Sequence, residues 1–163
     1  MAISTGDTLP DVTLMRVGDD GPEQLQLSDI TTDKKVIILA MPGAFTGTCT
    51  TAHIPSFIRT KDKFDAKGVD DIICITTNDP FVVKAWSDAT GAADGGITML
   101  ADATGAFAEA IGTKIDVPPV GLYSRSKRLA MLVDKGKVEI LNLEDNPGVC
   151  DVSGGESMLE AMG

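Results

Sequence analysis

The sequence predicts an α/β fold: a mixed central sheet flanked by helices, with extra strands at the N-terminus. Three observations lead there. "KVIILA" (35–40), "DIICITT" (71–77) and "ITMLA" (97–101) are apolar runs of strand length, as expected of strands covered on both faces. Segments of helical period separate them, and strands alternating with helices pair in parallel through right-handed crossovers. The last two strands lie in "RLAMLVDKGKVEILNLE" (128–144), joined only by the turn "DKGK", so they must run antiparallel.

In chain order, "DVTLMRV" reads as a first strand and "EQLQLS" as its hairpin partner. After "KVIILA" the pattern is helical from Cys49 to Gly68, with Ile54, Phe57, Ile58 and Phe64 near one face and Pro55 expected to kink it. "DIICITT" follows as a strand. "NDPFVVKAW" then starts a helix, with Asn78 or Asp79 as cap and Pro80 in the first turn. Trp86 and Phe107 are expected in the core. "ATGAFAEAIG" is a short helix stopped by Gly112, and "GESMLEAMG" is the last one. With no repeat or linker, residues 1–163 form one domain. The arrangement is the thioredoxin-like plan with extra N-terminal strands.

Composition excludes several function classes. The net charge of −10 argues against nucleic acid, whose phosphates need clustered Lys and Arg, and "RSKR" (125–128) is the one basic cluster. No apolar run is long enough to span a membrane. "MAISTGDTLP" carries neither a secretory nor a transit pattern, so a cytoplasmic location is expected. Cys49, Cys74, Cys150 and the one histidine, His53, make neither a disulfide framework nor a zinc site. No metal or cofactor is expected.

The chemistry concentrates in "MPGAFTGTCTTAHIPSF" (41–57). Cys49 follows an apolar strand and opens a helix, where free backbone N–H groups and the helix dipole favour a thiolate. Thr46, three residues earlier, can bond the sulfur or an oxygen beside it. Pro42 and Phe45 are expected to keep water off one side, and Gly43 and Gly47 to give the loop its backbone freedom. His53, four residues after Cys49, shares its helix face; it can polarise the thiol, bond a loop or simply pack. Arg125, Lys127 and Arg128 are all candidates for a cation at the site, and position alone does not choose.

"PGAFTGTC" resembles the P-x-x-x-T-x-x-C signature of peroxiredoxins. "TTAHIPSF" narrows the likeness to the type II, peroxiredoxin-five-like subfamily, and "NDPFVVKAW", "LADATGAF" and "RLAMLVDKGKV" extend it along the chain. The resemblance implies a thiol-dependent peroxidase that reduces hydrogen peroxide and alkyl hydroperoxides through a Cys49 sulfenic acid. It implies Thr46, Pro42 and Arg128 as catalytic companions, with Arg128 chosen because "RLAML" matches the family's strand start. Gly47 replaces the usual Pro and "HIPSF" the usual H-[LV]-P-G-[FY]; neither removes a reactive atom. The loops "PGAF" and "NDPF" and the segment before Arg128 form a homodimer surface in this subfamily, so a dimer is expected.

A sulfenic acid must be reduced before it climbs to irreversible states. Two thiols of the chain can resolve it. Cys150 lies in the loop "EDNPGVCDVSGG", where the animal two-cysteine enzymes place their resolving thiol; Cys74 lies within "IICITT", where plant-type enzymes have one. Physics prefers Cys150, because a loop thiol can travel while a strand-centre thiol must first be uncovered. Thioredoxin, glutaredoxin or glutathione is expected to close the cycle, and glutathione or glutaredoxin can also attack the sulfenic acid directly in a one-cysteine scheme. "TGTC" lacks the paired thiols of a disulfide oxidoreductase. A non-catalytic interaction protein would not need Pro42, Thr46, Cys49 and Arg128 together. A peroxide sensor that oxidises a partner protein shares every site residue and is the alternative that only turnover separates.

Overall fold

The computed structural model describes residues 2–163. Strands β1 (Thr13–Gly18) and β2 (Gly21–Gln26) form the N-terminal hairpin, followed by helix α1 (Leu27–Thr31). Strand β3 (Lys35–Met41) leads through the cysteine loop into a π-helical turn (Cys49–His53) and helix α2 (Ile54–Ala66). Next come β4 (Asp71–Thr76), α3 (Pro80–Thr90), β5 (Ile97–Ala101) and α4 (Ala106–Ala110). The hairpin β6 (Lys114–Val117) and β7 (Leu122–Ser126), the pair β8 (Leu129–Asp134) and β9 (Lys137–Leu143), and α5 (Gly155–Met162) complete the chain.

Seven strands make one sheet in the order β2-β1-β5-β4-β3-β8-β9, and β6 and β7 pair separately. The strands joined through helices, β3, β4 and β5, run parallel as expected, and β8 enters antiparallel beside β3. The thioredoxin-like mixed α/β fold is therefore the observed one.

The alternation of β3 divides the interior. Ile37, Leu39 and Met41 face a layer containing Phe57 and Phe64 of α2, Trp86 of α3 and Met158 of α5. Val36, Ile38 and Ala40 face a second layer with Leu27 of α1, Phe107 of α4 and Met131 of β8. Fully burying each such aliphatic side chain is worth about 1.5–3 kcal/mol, so the central strand is fixed in register from both sides. Trp86 and Phe107 are core residues, as expected.

Two elements differ from the sequence-based expectation. Pro55 does not kink the long helix: it occupies its first turn, where its missing N–H is not needed, and the chain before it widens into the π turn, closed by the Ile54 N–H to Cys49 O bond. Hairpin β6–β7 was not anticipated between Gly112 and Arg128. Its strands are short and half-exposed, and a 3₁₀ turn (Pro118–Val120) followed by Gly121 at φ 74° reverses them. Asp79, rather than Asn78, caps α3, accepting the Val82 N–H at 2.9 Å.

Candidate active site

Strand β3 ends at Met41, and the loop after it is held from two other elements. Asn78, at the end of β4, accepts the Ala44 N–H at 2.9 Å. Arg125 of β7 donates from Nη1 to Pro42 O at 3.0 Å. That guanidinium lies against the loop: a Cβ on Gly43 would stand 2.1 Å from Nη1, and the arginine tip would have to move to admit it. Phe45 adopts a left-handed backbone (φ 61°), a conformation that costs a non-glycine residue about 1–2 kcal/mol. Phe45 is 54% exposed and does not line the cleft beside the site, whereas Pro42 does.

The loop delivers Cys49 to the first turn of the helix with its side chain fully buried. Trp86 Nε1 donates to Thr50 Oγ1 at 3.0 Å and fixes the next residue of the π turn. The Thr46 hydroxyl donates to Gly43 O at 2.8 Å, where a bond to the sulfur was one expectation. Its proton is thereby committed, and its lone pairs remain as acceptors toward the cleft that Thr46 lines.

Arg128 is the cation at the sulfur. It precedes β8, one residue beyond the Ala40–Leu129 pair, so sheet register alone sets it beside the end of β3. Its guanidinium is buried and spends its donors on three groups. Nη2 donates to Cys49 Sγ at 3.1 Å. Nε and Nη2 both donate to Pro147 O, at 3.1 and 2.9 Å. Nη1 donates to His53 Nδ1 at 3.2 Å. No carboxylate pairs with it among the described residues, so its charge is directed at the sulfur and at whatever binds beside it. Arg125 clamps the loop instead, and the Lys127 backbone N–H pairs with Thr113 O.

His53 is a fixed, neutral ring. A guanidinium can only donate, so Nδ1 accepts; Nε2 then carries the proton and donates to Ser153 O at 2.9 Å. Burial, reinforced by the Arg128 charge, lowers its pKa to about 3. This geometry favours support of Arg128 over acid–base chemistry.

Above these residues opens a cleft of about 330 Å³. Pro42, Thr46, Gly47 and Arg128 line it together with the apolar Val117, Val120 and Leu122 of the β6–β7 hairpin. Among the described residues no cluster of His, Cys, Asp and Glu suited to a metal ion occurs.

The other thiols occupy different settings, and all three cysteines are unpaired. Cys74 is buried in β4 within the same core layer as Cys49, and its pKa is pushed up, first by burial and then by the nearby Cys49. Cys150 is half-buried in the 144–154 loop, where it lines a shallow cleft with Thr51 and Ser56. Burial also raises its pKa, opposed by the Ser153 hydroxyl. Arg125 and Asn78 are the residues whose part here sequence reasoning missed. The basic run at 125–128 and the doubled "ND" at 78–79 were visible, but only the folded loop shows which member of each reaches Pro42 and Ala44.

A thioredoxin-like fold with a buried cysteine at a helix start, bonded by an arginine, defines a thiol-active redox protein. The family model described as Redoxin matches residues 4–159. Peroxiredoxin-2C of Oryza sativa subsp. japonica is 40% identical over 161 residues, covering 98% of this chain and 98% of the relative. Peroxiredoxin-2D of Arabidopsis thaliana is 38% identical with the same coverages. Among solved structures, reduced Prx3 of Vibrio vulnificus in complex with H₂O₂ superposes with a TM-score of 0.91 at 40% identity, covering 99% of each chain. Peroxiredoxin 5 of Alvinella pompejana gives 0.85 at 32%, covering 98% of this chain and 97% of that one.

The chain belongs to the redoxin family and, within it, to the type II peroxiredoxins. It is a thiol-dependent peroxidase, acting on peroxides with a thiol reductant.

Proposed function

We propose that Cys49 is the peroxidatic thiol, with Arg128, Thr46 and Pro42 as its companions. The observation that carries this is the 3.1 Å bond to the buried Cys49 sulfur from Nη2 of Arg128, a residue that lines a cleft together with Thr46 and Pro42. The Cys49 thiolate attacks the terminal hydroxyl oxygen of hydrogen peroxide or an alkyl hydroperoxide. A sulfur–oxygen bond forms as the oxygen–oxygen bond breaks, leaving Cys49–SOH. The departing oxide takes up a proton and leaves as water or alcohol. Arg128 stabilises the charge that develops on the breaking bond, and the Thr46 hydroxyl accepts a hydrogen bond from the peroxide's own O–H. Val117, Val120 and Leu122 offer an alkyl tail a dry surface.

Resolution is assigned to Cys150 in preference to Cys74. A half-buried loop thiol can reach the sulfenic acid by loop movement, whereas Cys74, 1% exposed, would require the core to open. Its thiol attacks Cys49–SOH, releasing water and forming a disulfide that thioredoxin, glutaredoxin or glutathione then reduces. A homodimer is supported by four exposed apolar side chains, Phe45, Phe81, Val120 and Tyr123. The Ala44–Asn78 and Pro42–Arg125 bonds tie together the three segments that carry them. A cytoplasmic location is the further proposal, supported by three thiols held unpaired.

Treating the reduced protein with slightly less than one equivalent of H₂O₂, followed by peptide mapping without reductant, tests the scheme. A Cys49–Cys150 link is expected. A Cys49–Cys74 link would overturn the choice of resolver, an unlinked Cys49 sulfenic acid would establish a one-cysteine cycle, and reduced Cys49 beside persisting peroxide would refute the assignment of Cys49.

A further inference from the structure

The 144–154 loop is closed by a buried carboxylate that the reaction scheme does not use. Glu144, only 4% exposed, follows β9, and its backbone N–H donates to Arg128 O at 3.0 Å. It is therefore the direct cross-strand neighbour of the arginine. One carboxylate oxygen, Oε1, accepts the backbone N–H groups of Asp151 and Val152 at 2.7 Å and of Ser153 at 2.9 Å. The Ser153 hydroxyl adds a fourth bond at 2.9 Å. A buried carboxylate requires such partners, and four donors converging on one oxygen bind the loop's return to the strand end beside Arg128.

What lies between the two ends of that closure touches the thiol site at three points. Pro147 O receives both Arg128 Nε and Nη2, the latter being the nitrogen aimed at Cys49. Gly148 O receives the Thr48 hydroxyl at 2.7 Å, one residue before Cys49. Ser153 O receives His53 Nε2. Two of the four bonds that orient the guanidinium thus depend on where the loop puts one carbonyl, and the loop's return is pinned by Glu144.

We propose that Glu144 is a positioning residue of the peroxidase reaction: by gathering the 151–153 backbone it fixes the Pro147 carbonyl, which aims Arg128 at the Cys49 sulfur. The inference rests on the assignment of Cys49 and Arg128 made above. It also couples the two halves of the cycle. Cys150 lies inside the closed segment, so for its thiol to travel to Cys49 the Glu144 bonds must open, and the arginine is then released from its aim.

The test compares wild type, Glu144→Gln and Ser153→Ala. Three quantities are measured: the rate of Cys49 oxidation by H₂O₂, the pH profile of Cys49 alkylation, and the rate of Cys150 alkylation in the folded protein. For Glu144→Gln, Cys150 alkylation accelerates, the Cys49 profile moves to higher pH, and oxidation slows by about 10- to 100-fold, the scale of a mispositioned catalytic group. Ser153→Ala removes one donor of four and also the hydroxyl's own contact with Cys150 Sγ at 3.7 Å, so it is read on the two Cys49 quantities alone, which move in the same direction by less. Faster Cys150 alkylation with unchanged Cys49 behaviour would show that the loop does not aim Arg128, and no change in Cys150 would show that the carboxylate does not hold the loop. Either overturns the proposal. Should Glu144→Gln fail to fold, Ser153→Ala decides by the Cys49 behaviour: an unchanged oxidation rate and profile overturn the proposal. A wild-type Cys49 inert to peroxide would instead refute the underlying assignment, whatever the variants do.

Discussion

Arg128 and Cys49, 79 positions apart in the chain, meet through a 3.1 Å hydrogen bond from guanidinium to sulfur inside the protein. A thiolate accepts that bond far better than a thiol, and no protein carboxylate competes for the charge among the described residues. The positive charge is buried, and its remaining donors are spent on a carbonyl and a neutral imidazole.

Replacing Arg128 should therefore weaken the reaction more than the fold around it. Charge-assisted hydrogen bonds are worth about 1.5–3 kcal/mol, so Arg128→Gln is expected to slow Cys49 oxidation by roughly 10- to 100-fold or more. Arg128→Lys should rescue little, since one ammonium cannot span Sγ, Pro147 O and His53 Nδ1 together. Stopped-flow fluorescence of Trp86, bonded to Thr50 beside Cys49, gives the rate. An Arg128→Lys variant of wild-type speed would contradict this geometry.

Thr46 separates two contributions. Thr46→Ser keeps both the bond to Gly43 O and the acceptor toward the cleft, and should retain most activity. Thr46→Val loses both, and kcat/KM for H₂O₂ is expected to fall by about 100-fold. A larger loss for Thr46→Ser than for Thr46→Val would mean that the methyl group, which Val keeps, matters and not the hydroxyl.

His53 gives the protein a stability that depends on pH. Its folded pKa, about 3, lies below the 6.5 of an unperturbed histidine. The unfolded chain therefore takes up a proton at 6.5 that the folded chain refuses until about 3. The contribution is complete above the upper value and is lost as pH falls toward the lower one. Between about pH 7 and about pH 5 the loss is about 2 kcal/mol. Urea unfolding at both pH values should show a steeper decline for wild type than for His53→Gln, and an imidazole titrating near neutrality in the folded protein would count against the buried neutral ring.

The seam between α2 and α5 is tight at Gly155. A Cβ there would lie 2.4 Å from Thr60 Oγ1 and 2.5 Å from the backbone oxygen of Ser56. The backbone atom cannot rotate away, so Gly155→Ala should destabilise by about 1–3 kcal/mol, seen as a lower Tm. An unchanged Tm would mean that α5 shifts freely on α2.

Much of this could be read along the chain. The apolar runs at 35–40, 71–77 and 97–101 and the helical stretches between them gave parallel strands in the right order, because burial on both faces leaves a continuous apolar signature. Asp79–Pro80 marked the start of α3 through capping chemistry that is wholly local. The hairpin β6–β7 left little trace, since its half-exposed strands bury too few side chains to impose a pattern.

The sequence by itself determined the strand and helix order, the placing of Cys49 at a helix start, and, through the family resemblance, the thiol chemistry, because these depend on neighbours within a few residues. Only the tertiary structure decided that Arg125 clamps Pro42 while Arg128 meets the sulfur, that Phe45 is exposed, and that the His53 ring is held neutral between Arg128 and Ser153. The placing of Arg128 follows from β8 inserting antiparallel against β3, and that of Ser153 beside His53 from a loop returning to Glu144. Contacts of that span are set by sheet register and by the need of buried polar groups for partners, which no local window of sequence contains.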